Sequence, residues 1–294
     1  MGSVTSQSAQ PADTRPVGAA PAAVSLRGAR LSFGARTLWH DLDLDIAPGE
    51  FVAVLGPNGS GKTTLLKVLL GILPLSAGEV RIAGRPPRCG SPDIGYIPQQ
   101  KALEPDLPLR GRDLVGLGLD GHRPGLGLRS RRQRRERVEA ALAAVGGTGY
   151  GDAPVGRLSG GEQQRLRVAQ ALVGDPSVLL CDEPLLSLDL AHQRTVTRLI
   201  DERRRAASTA VLFVTHEINP VLALVDRVLY LVDGRFRIGR TEEVMTSAVL
   251  SELYRSEIDV LRVRDRLVVV GAEDGCHPDH GDVEPVAHEA VCHE

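Results

Sequence analysis

Apolar and polar positions alternate from Val24 to Phe33 and again over Leu42-Asp43-Leu44-Asp45-Ile46, so that every second side chain falls on one face. Such alternation predicts two half-exposed antiparallel strands. After the turn at Pro48-Gly49 the pattern becomes the unbroken apolar run Phe51-Val52-Ala53-Val54-Leu55, which predicts a buried strand. From Thr64 to Leu70 the spacing is helical, and Gly71 and Pro74 stop it. Glu79 to Ile82 and Ile94 to Ile97 predict further strands, the second ended by Pro98-Gln99-Gln100. Between about 107 and 156 the pattern is helical, most clearly from Arg129 to Val145, where Val138, Ala141, Leu142 and Val145 share a face. A further helix opens after Ser159 and runs through Ala171. Two more apolar strands follow, one ending in Cys181-Asp182-Glu183 and one, Val211 to Val214, leading to Thr215-His216. Ile258 to Val263 and Leu267 to Val270 predict two short strands near the end. Strands interleaved with helices indicate an α/β architecture.

The helix after the strand 51–55 is entered through Gly56-Pro57-Asn58-Gly59-Ser60-Gly61-Lys62-Thr63-Thr64. Strand, glycine-rich loop with Gly-Lys-Thr, then helix is the context a phosphate-binding loop requires. Glycines at 56, 59 and 61 let successive backbone N–H groups turn inward towards phosphate oxygens, and the helix adds the positive end of its dipole. Lys62 is placed to reach the β- and γ-phosphates, and the Thr63 hydroxyl to ligate Mg²⁺. Two other strand ends carry chemistry. Asp182 and Glu183 are adjacent, so one can serve Mg²⁺ and the other can orient the attacking water. His216 is delivered to the edge of the sheet where α/β folds bind ligand. Leu158-Ser159-Gly160-Gly161-Glu162 opens its helix with Ser159 as cap and Glu162 in the first turn, a second anion site. Phe33, at the end of the first strand, fits either an adenine-stacking role or a core position.

Composition narrows this picture little. The 294 residues are 42% hydrophobic, enough for one large or two modest domains, and the net charge of -2 gives no general case for nucleic acid. The tract Arg129 to Arg137 has helical spacing and no interleaved aromatic residue, which favours a solvated helix face over a nucleic-acid patch. Cysteines at 89, 181, 276 and 292 are too scattered for a disulfide framework and point to a reducing compartment. No segment approaches eighteen apolar residues, and the first residues lack a signal-peptide pattern.

The phosphate loop, Gln99, Leu-Ser-Gly-Gly-Glu-Gln-Gln-Arg, Val-Leu-Leu-Cys-Asp-Glu-Pro and His216 occur in that order, and together resemble the nucleotide-binding subunit of an ABC transporter over roughly 24–245. The resemblance implies an α/β P-loop NTPase cassette with a RecA-like core, an antiparallel β subdomain and an α-helical subdomain. It implies an ATPase with ATP and Mg²⁺ as cofactors. Phe33 then takes the place of the adenine-stacking aromatic. Gly56, Asn58, Gly59, Ser60, Gly61, Lys62, Thr63 and Thr64 hold the phosphates, while Thr63, Gln99 and Asp182 serve Mg²⁺. Glu183 is the carboxylate for water and His216 the γ-phosphate switch, with Gln99 in the loop that senses Mg²⁺ and the membrane subunit. Ser159, Gly160, Gly161 and Glu162 face the ATP of a second cassette, and Asp189 communicates across the dimer. Leu185 and Leu186 depart from the family's usual Thr and small residue. Implied partners are a second cassette, in a homodimer or a heterodimer with another cassette, separate membrane permease subunits and an extracytoplasmic metal-binding protein, without nucleic acid. The implied place is cytoplasmic, on the inner face of the plasma membrane through the permease.

The stretches Tyr96-Ile97-Pro98-Gln99, Leu107-Pro108-Leu109, Asp113 to Gly118 and Thr215 to Leu222 are similar to the cassettes of zinc and manganese importers. Leu188-Asp189-Leu190-Ala191-His192-Gln193 is also similar to the iron-siderophore and cobalamin group. Exporter cassettes and soluble ABC ATPases acting on nucleic acid or ribosomes are the other readings, the last disfavoured by a single cassette without sustained heptads. The chain divides into an expected disordered leader 1–22, the ATPase domain 23–246 with its helical subdomain at about 101–157, an appendage 247–271 and an acidic tail 272–294. Cys276, His277, His280, His288, Cys292 and His293 in that tail are candidate Zn²⁺ donors. The alternative is a solvated acidic end with incidental histidines.

Overall fold

The computed structural model describes residues 21–99, 104, 107–120, 131–186 and 188–271. A six-stranded sheet lies at its centre, in the order β5 (Ile94–Ile97), β6 (Val178–Asp182), β7 (Ala210–Val214), β3 (Phe51–Leu55), β8 (Arg227–Val232) and β9 (Arg235–Gly239). The strands are parallel except β9, which returns from β8 through the Asp233-Gly234 turn. Every residue of β3, β6 and β7 is buried. That burial explains their unbroken apolar sequences, since a parallel sheet is covered on both faces.

Period two divides these strands between two cores. Phe51, Leu179, Cys181, Val211 and Phe213 face one side, where they join Leu166, Val168 and Ala169 of α4 (Gly160–Leu172) and Val196, Leu199 and Ile200 of α5 (Leu190–Ala207). Helices α2 (Gly111–Asp120) and α3 (Arg131–Ala144) extend this core through Leu114, Val115, Val138 and Leu142. Val52, Val54, Leu180, Leu212 and Val214 face the other side, against Leu65, Leu66, Val68 and Leu69 of α1 (Lys62–Leu69). A separate antiparallel sheet, β2 (Arg36–Ile46), β1 (Val24–Phe33) and β4 (Ala77–Ile82), closes that side with Leu26, Trp39, Leu42, Leu44 and Ile46. The fold is thus an α/β cassette with a parallel core, an antiparallel β subdomain and a group of helices packed beyond α4.

Short helices α6 (Thr241–Val244) and α7 (Ser247–Tyr254) follow β9, then the hairpin β10 (Asp259–Val263) and β11 (Arg266–Val270). No helix among the described residues is long and apolar enough to cross a membrane. From Arg131 onward the arginine tract lies on α3, where Arg131, Arg132 and Arg135 are exposed and Arg132 pairs with Glu136 at 2.8 Å. Residues 121–130 and the tail 272–294, with its Cys and His donors, lie outside the described residues.

Candidate nucleotide site

The loop between β3 and α1 is crowded at two of its glycines. Gly56 has φ +139°, and a Cβ there would sit 2.0 Å from the Leu231 carbonyl oxygen. Gly61, the N-cap of α1 at φ +97°, would put a Cβ 3.0 Å from the indole nitrogen of the fully buried Trp39. A side chain at 56 would clash with the β8 backbone, and one at 61 would be strained by the positive φ and would crowd the Trp39 ring. Lys62, 6% exposed, is the first residue of α1, and its Nζ donates to the carbonyls of Gly56 and Pro57, both at 2.8 Å. Burial holds its pKa below the ordinary lysine value against the pull of Glu183 and Asp182. The buried Ser60 hydroxyl has no hydrogen-bond partner among the described residues, whereas Asn58 is exposed on the loop and Thr64 half-buried. Phe33 is 51% exposed at the tip of the β1–β2 hairpin, which removes the core alternative for it. Its register partner Arg36 donates to the Gly59 carbonyl at 3.3 Å and ties that tip to the loop.

Asp182 ends β6 at 3% exposure and accepts from the Thr63 hydroxyl at 3.1 Å. Burial pushes its pKa up, and the Thr63 hydrogen bond opposes that. Tyr96 also bonds this carboxylate, and burial beside Asp182 pushes its own hydroxyl up to about 12, so it stays a donor. A buried carboxylate beside a hydroxyl is the hard oxygen set that Mg²⁺ takes, so these residues fit the cation.

Strand alternation would have separated Glu183 from Asp182, but the strand stops first. Glu183 is left-handed at φ +46°, with its N–H on the Val214 carbonyl at 3.0 Å. That turn aims its carboxylate at Gln99, whose Nε2 donates to Oε2 at 3.4 Å, and at His216, whose Nδ1 lies 3.5 Å from the same oxygen. His216 stands two residues beyond the end of β7 and is exposed. Thr63 and Asp182, and Gln99, Glu183 and His216, thus meet at the C-terminal edge of the sheet, with Lys62 within the field of both carboxylates.

The remaining sequence-derived positions form a second group. Ser159 caps α4: its hydroxyl accepts from the Glu162 N–H at 3.3 Å, while Glu162 Oε2 accepts from the Ser159 N–H at 2.9 Å. Asp189 caps α5, accepting from the His192 N–H at 2.9 Å and its Nδ1 at 2.8 Å. The His192 ring lies across the start of α4, with Cδ2 only 2.5 Å from where a Gly161 Cβ would be. A side chain at Gly161 would displace the His192 ring from Asp189. Gln164, further along α4, donates through Nε2 to the Pro184 carbonyl at 2.8 Å, next to Glu183 in the chain.

Sequence reasoning overlooked Tyr96, Arg36 and His192. Tyr96 was findable by register, because it stands opposite Leu180 and so shares a face with Asp182. His192 lies three residues after Asp189, on the first turn of the same helix, where such pairs meet.

The family model described as "ABC transporter" matches residues 39–186, from the Trp39 that underlies the loop through both carboxylates. The chain belongs to the ABC transporter family. This cassette is 31% identical to the manganese transport system ATP-binding protein MntB of Bacillus subtilis (strain 168), over 85% of this chain and 99% of that protein. It is 39% identical to the zinc import ATP-binding protein ZnuC of Cereibacter sphaeroides, over 67% and 74%. It is also 37% identical to the aliphatic sulfonates import ATP-binding protein SsuB 1 of Nocardia farcinica (strain IFM 10152), over 86% and 95%. Among solved structures, a metal-chelate type ABC transporter in an inward-facing conformation matches at TM-score 0.71 and 26% identity, covering 84% of this cassette and 96% of that chain. The cassette is an ATPase of the importer type, and ABC ATPases of this type act as dimers on membrane permease subunits.

Proposed function

We propose that this cassette powers import of a divalent transition metal, zinc or manganese, through a separate permease. The group around Glu183 carries the hydrolytic part of that reading. The loop amides and Lys62 hold the phosphates, Phe33 stacks on the adenine, and Thr63, Asp182 and Gln99 serve Mg²⁺. With Mg²⁺ bound, charge on the phosphates is neutralised at this edge. Glu183 accepts the proton of the attacking water and His216 contacts the γ-phosphate. Ser159, Gly160, Gly161 and Glu162 complete the site on the partner copy of a homodimer, with Asp189 signalling between copies. Residues 23–246 are the ATPase domain, with the helical subdomain at about 101–157, and 247–271 an appendage. Docking to the permease places the cassette on the inner face of the plasma membrane, with an extracytoplasmic binding protein delivering cargo.

The metal assignment is supported by the stretches Tyr96 to Gln99 and Thr215 to Leu222 and by the likeness to MntB and ZnuC. The soft donors Cys276, His277, His280, His288, Cys292 and His293 support Zn²⁺ binding by the tail. A second reading, an iron-siderophore or cobalamin importer, is favoured by Leu188 to Gln193 and by the likeness to the metal-chelate type transporter. Uptake separates the two. Cells lacking this chain should lose accumulation of radioactive Zn²⁺ or Mn²⁺; retained uptake of both with lost uptake of a ferric chelate moves the assignment to the second. Calorimetry with Zn²⁺ should show tight binding that truncation after Gly271 removes, and equal weak binding by both forms would leave the tail without a metal role.

A further inference from the structure

The C-terminal hairpin is joined to the loop that carries His216. Asn219 Nδ2 donates to the Leu267 carbonyl at 2.9 Å, and Leu267 N–H donates to Asn219 Oδ1 at 2.9 Å. One side-chain amide thus satisfies both backbone groups of a residue on β11, as a neighbouring strand would. Beneath this pair Ile218, Val221, Ile258 and Leu267 are buried in one core. The hairpin's other attachments come from α7. Ser251 Oγ accepts from the Ile258 N–H at 2.9 Å and donates to its carbonyl at 3.2 Å, and Ser247 Oγ accepts from the Val260 N–H at 2.9 Å.

The segment bearing His216 is therefore held at two ends. At one end Thr215 N–H donates to the Val54 carbonyl at 3.1 Å, in the sheet. A turn follows, in which the Thr215 hydroxyl accepts from the Glu217 N–H at 3.1 Å and donates to its carbonyl at 2.9 Å. At the other end stands Asn219. The His216 side chain is exposed and meets Glu183 at 3.5 Å, so its own contacts hold it weakly and its aim depends on these anchors.

We propose that Asn219 is a positioning residue for hydrolysis: clamped to the β10–β11 hairpin, it holds His216 where it meets Glu183. The inference rests on the reading of His216 as the γ-phosphate contact. It makes the hairpin, which lies far along the chain from every nucleotide motif, part of the catalytic frame.

ATP turnover, ATP affinity and amide exchange of the full chain test this. In Asn219→Ala, kcat should fall about five- to ten-fold, the low end of the scale of two lost hydrogen bonds, with KM for ATP unchanged. Exchange should quicken at 215–217 and stay slow in β7. Asn219→Asp keeps the shape and the acceptor but turns an oxygen towards the Leu267 carbonyl; the same loss is expected, and it carries the test should the alanine variant not fold. Adding Ser247→Ala and Ser251→Ala to Asn219→Ala should slow the enzyme no further, because a clamp already released has nothing left to lose. Wild-type turnover in both Asn219 variants, with His216→Ala inactive, would overturn the clamp alone. A multiplied loss on adding the serine changes would likewise overturn it, since Asn219 would then act without the hairpin. Wild-type turnover in His216→Ala would overturn the underlying reading and the clamp with it.

Discussion

The group around Glu183 and the group around Ser159 both present charge and helix ends, yet their electrostatics are opposite. In the first, Asp182 is buried with its pKa pushed up, Lys62 is buried with its pKa pushed down, and Glu183 sits in a left-handed turn. The charged forms of Asp182 and Lys62 are disfavoured as they stand, and each gains when a cation or a polyphosphate enters. In the second, hydrogen bonds to Ser159 pull the Glu162 carboxyl below its ordinary range, and those to His192 do the same for the fully exposed Asp189. These carboxylates are satisfied within the chain. One group is therefore poised for ligand chemistry, while the other is a finished, rigid surface. A finished surface suits recognition of something bound elsewhere, which is the role proposed for it towards the ATP of a second copy.

The largest expected effect tests the first group. Glu183→Gln keeps the shape and the contact with Gln99 but cannot take a proton, so turnover should fall by roughly 10²–10⁴-fold. ATP binding should persist and ATP-stabilised dimers should accumulate, visible by light scattering. Steady hydrolysis by this variant would mean that another group is the base.

Mixing variants sharpens the contrast between the groups. Lys62→Ala removes a charge-assisted phosphate contact and should weaken ATP binding by about 10- to 150-fold. Ser159→Arg blocks the start of α4 but leaves the chain's own phosphate loop intact. Each variant alone should be nearly inactive. Mixed, they form some dimers in which the intact loop of one copy faces the intact α4 of the other, so activity should reappear. If no activity returns, both groups act within one chain, and the head-to-tail arrangement is wrong.

How much of this was legible follows from how local each signal is. The phosphate loop was readable because strand, glycines and helix lie within twenty residues, and the buried strands because full burial leaves unbroken apolar runs. The helix α1 begins at Lys62, two residues before its apolar spacing does, since polar first-turn residues carry no periodic signal. Helix α5 escaped notice although Asp189 caps it, and so did β8 and β9, whose Asp233-Gly234 turn is a strong hairpin signal. The left-handed turn at Glu183 was not legible, because nothing in a carboxylate's identity demands positive φ. The Asn219 clamp joins residues 48 positions apart, which no local pattern encodes.

The smallest expected effect concerns stability. With its folded pKa above the unfolded value, Asp182 is held ionised at neutral pH at a cost, and that cost disappears as pH falls through the raised pKa. Asp182→Asn removes the charge while an amide oxygen can still accept from Thr63. The nucleotide-free variant should therefore melt higher than wild type near pH 7, by ~2–4 °C for each kcal/mol relieved. The gap should narrow as pH falls towards the ordinary carboxylate range, because protonation then gives wild type the same relief. With Mg²⁺ and ATP the order should reverse, since ligand that binds only the folded wild type raises its melting point and leaves the variant behind. A melting gap that stays constant with pH would show that Asp182 is not strained by burial. The oxygen pair with Thr63 would then be an ordinary structural contact, and the contrast with the satisfied carboxylates at Glu162 and Asp189 would lose its physical basis.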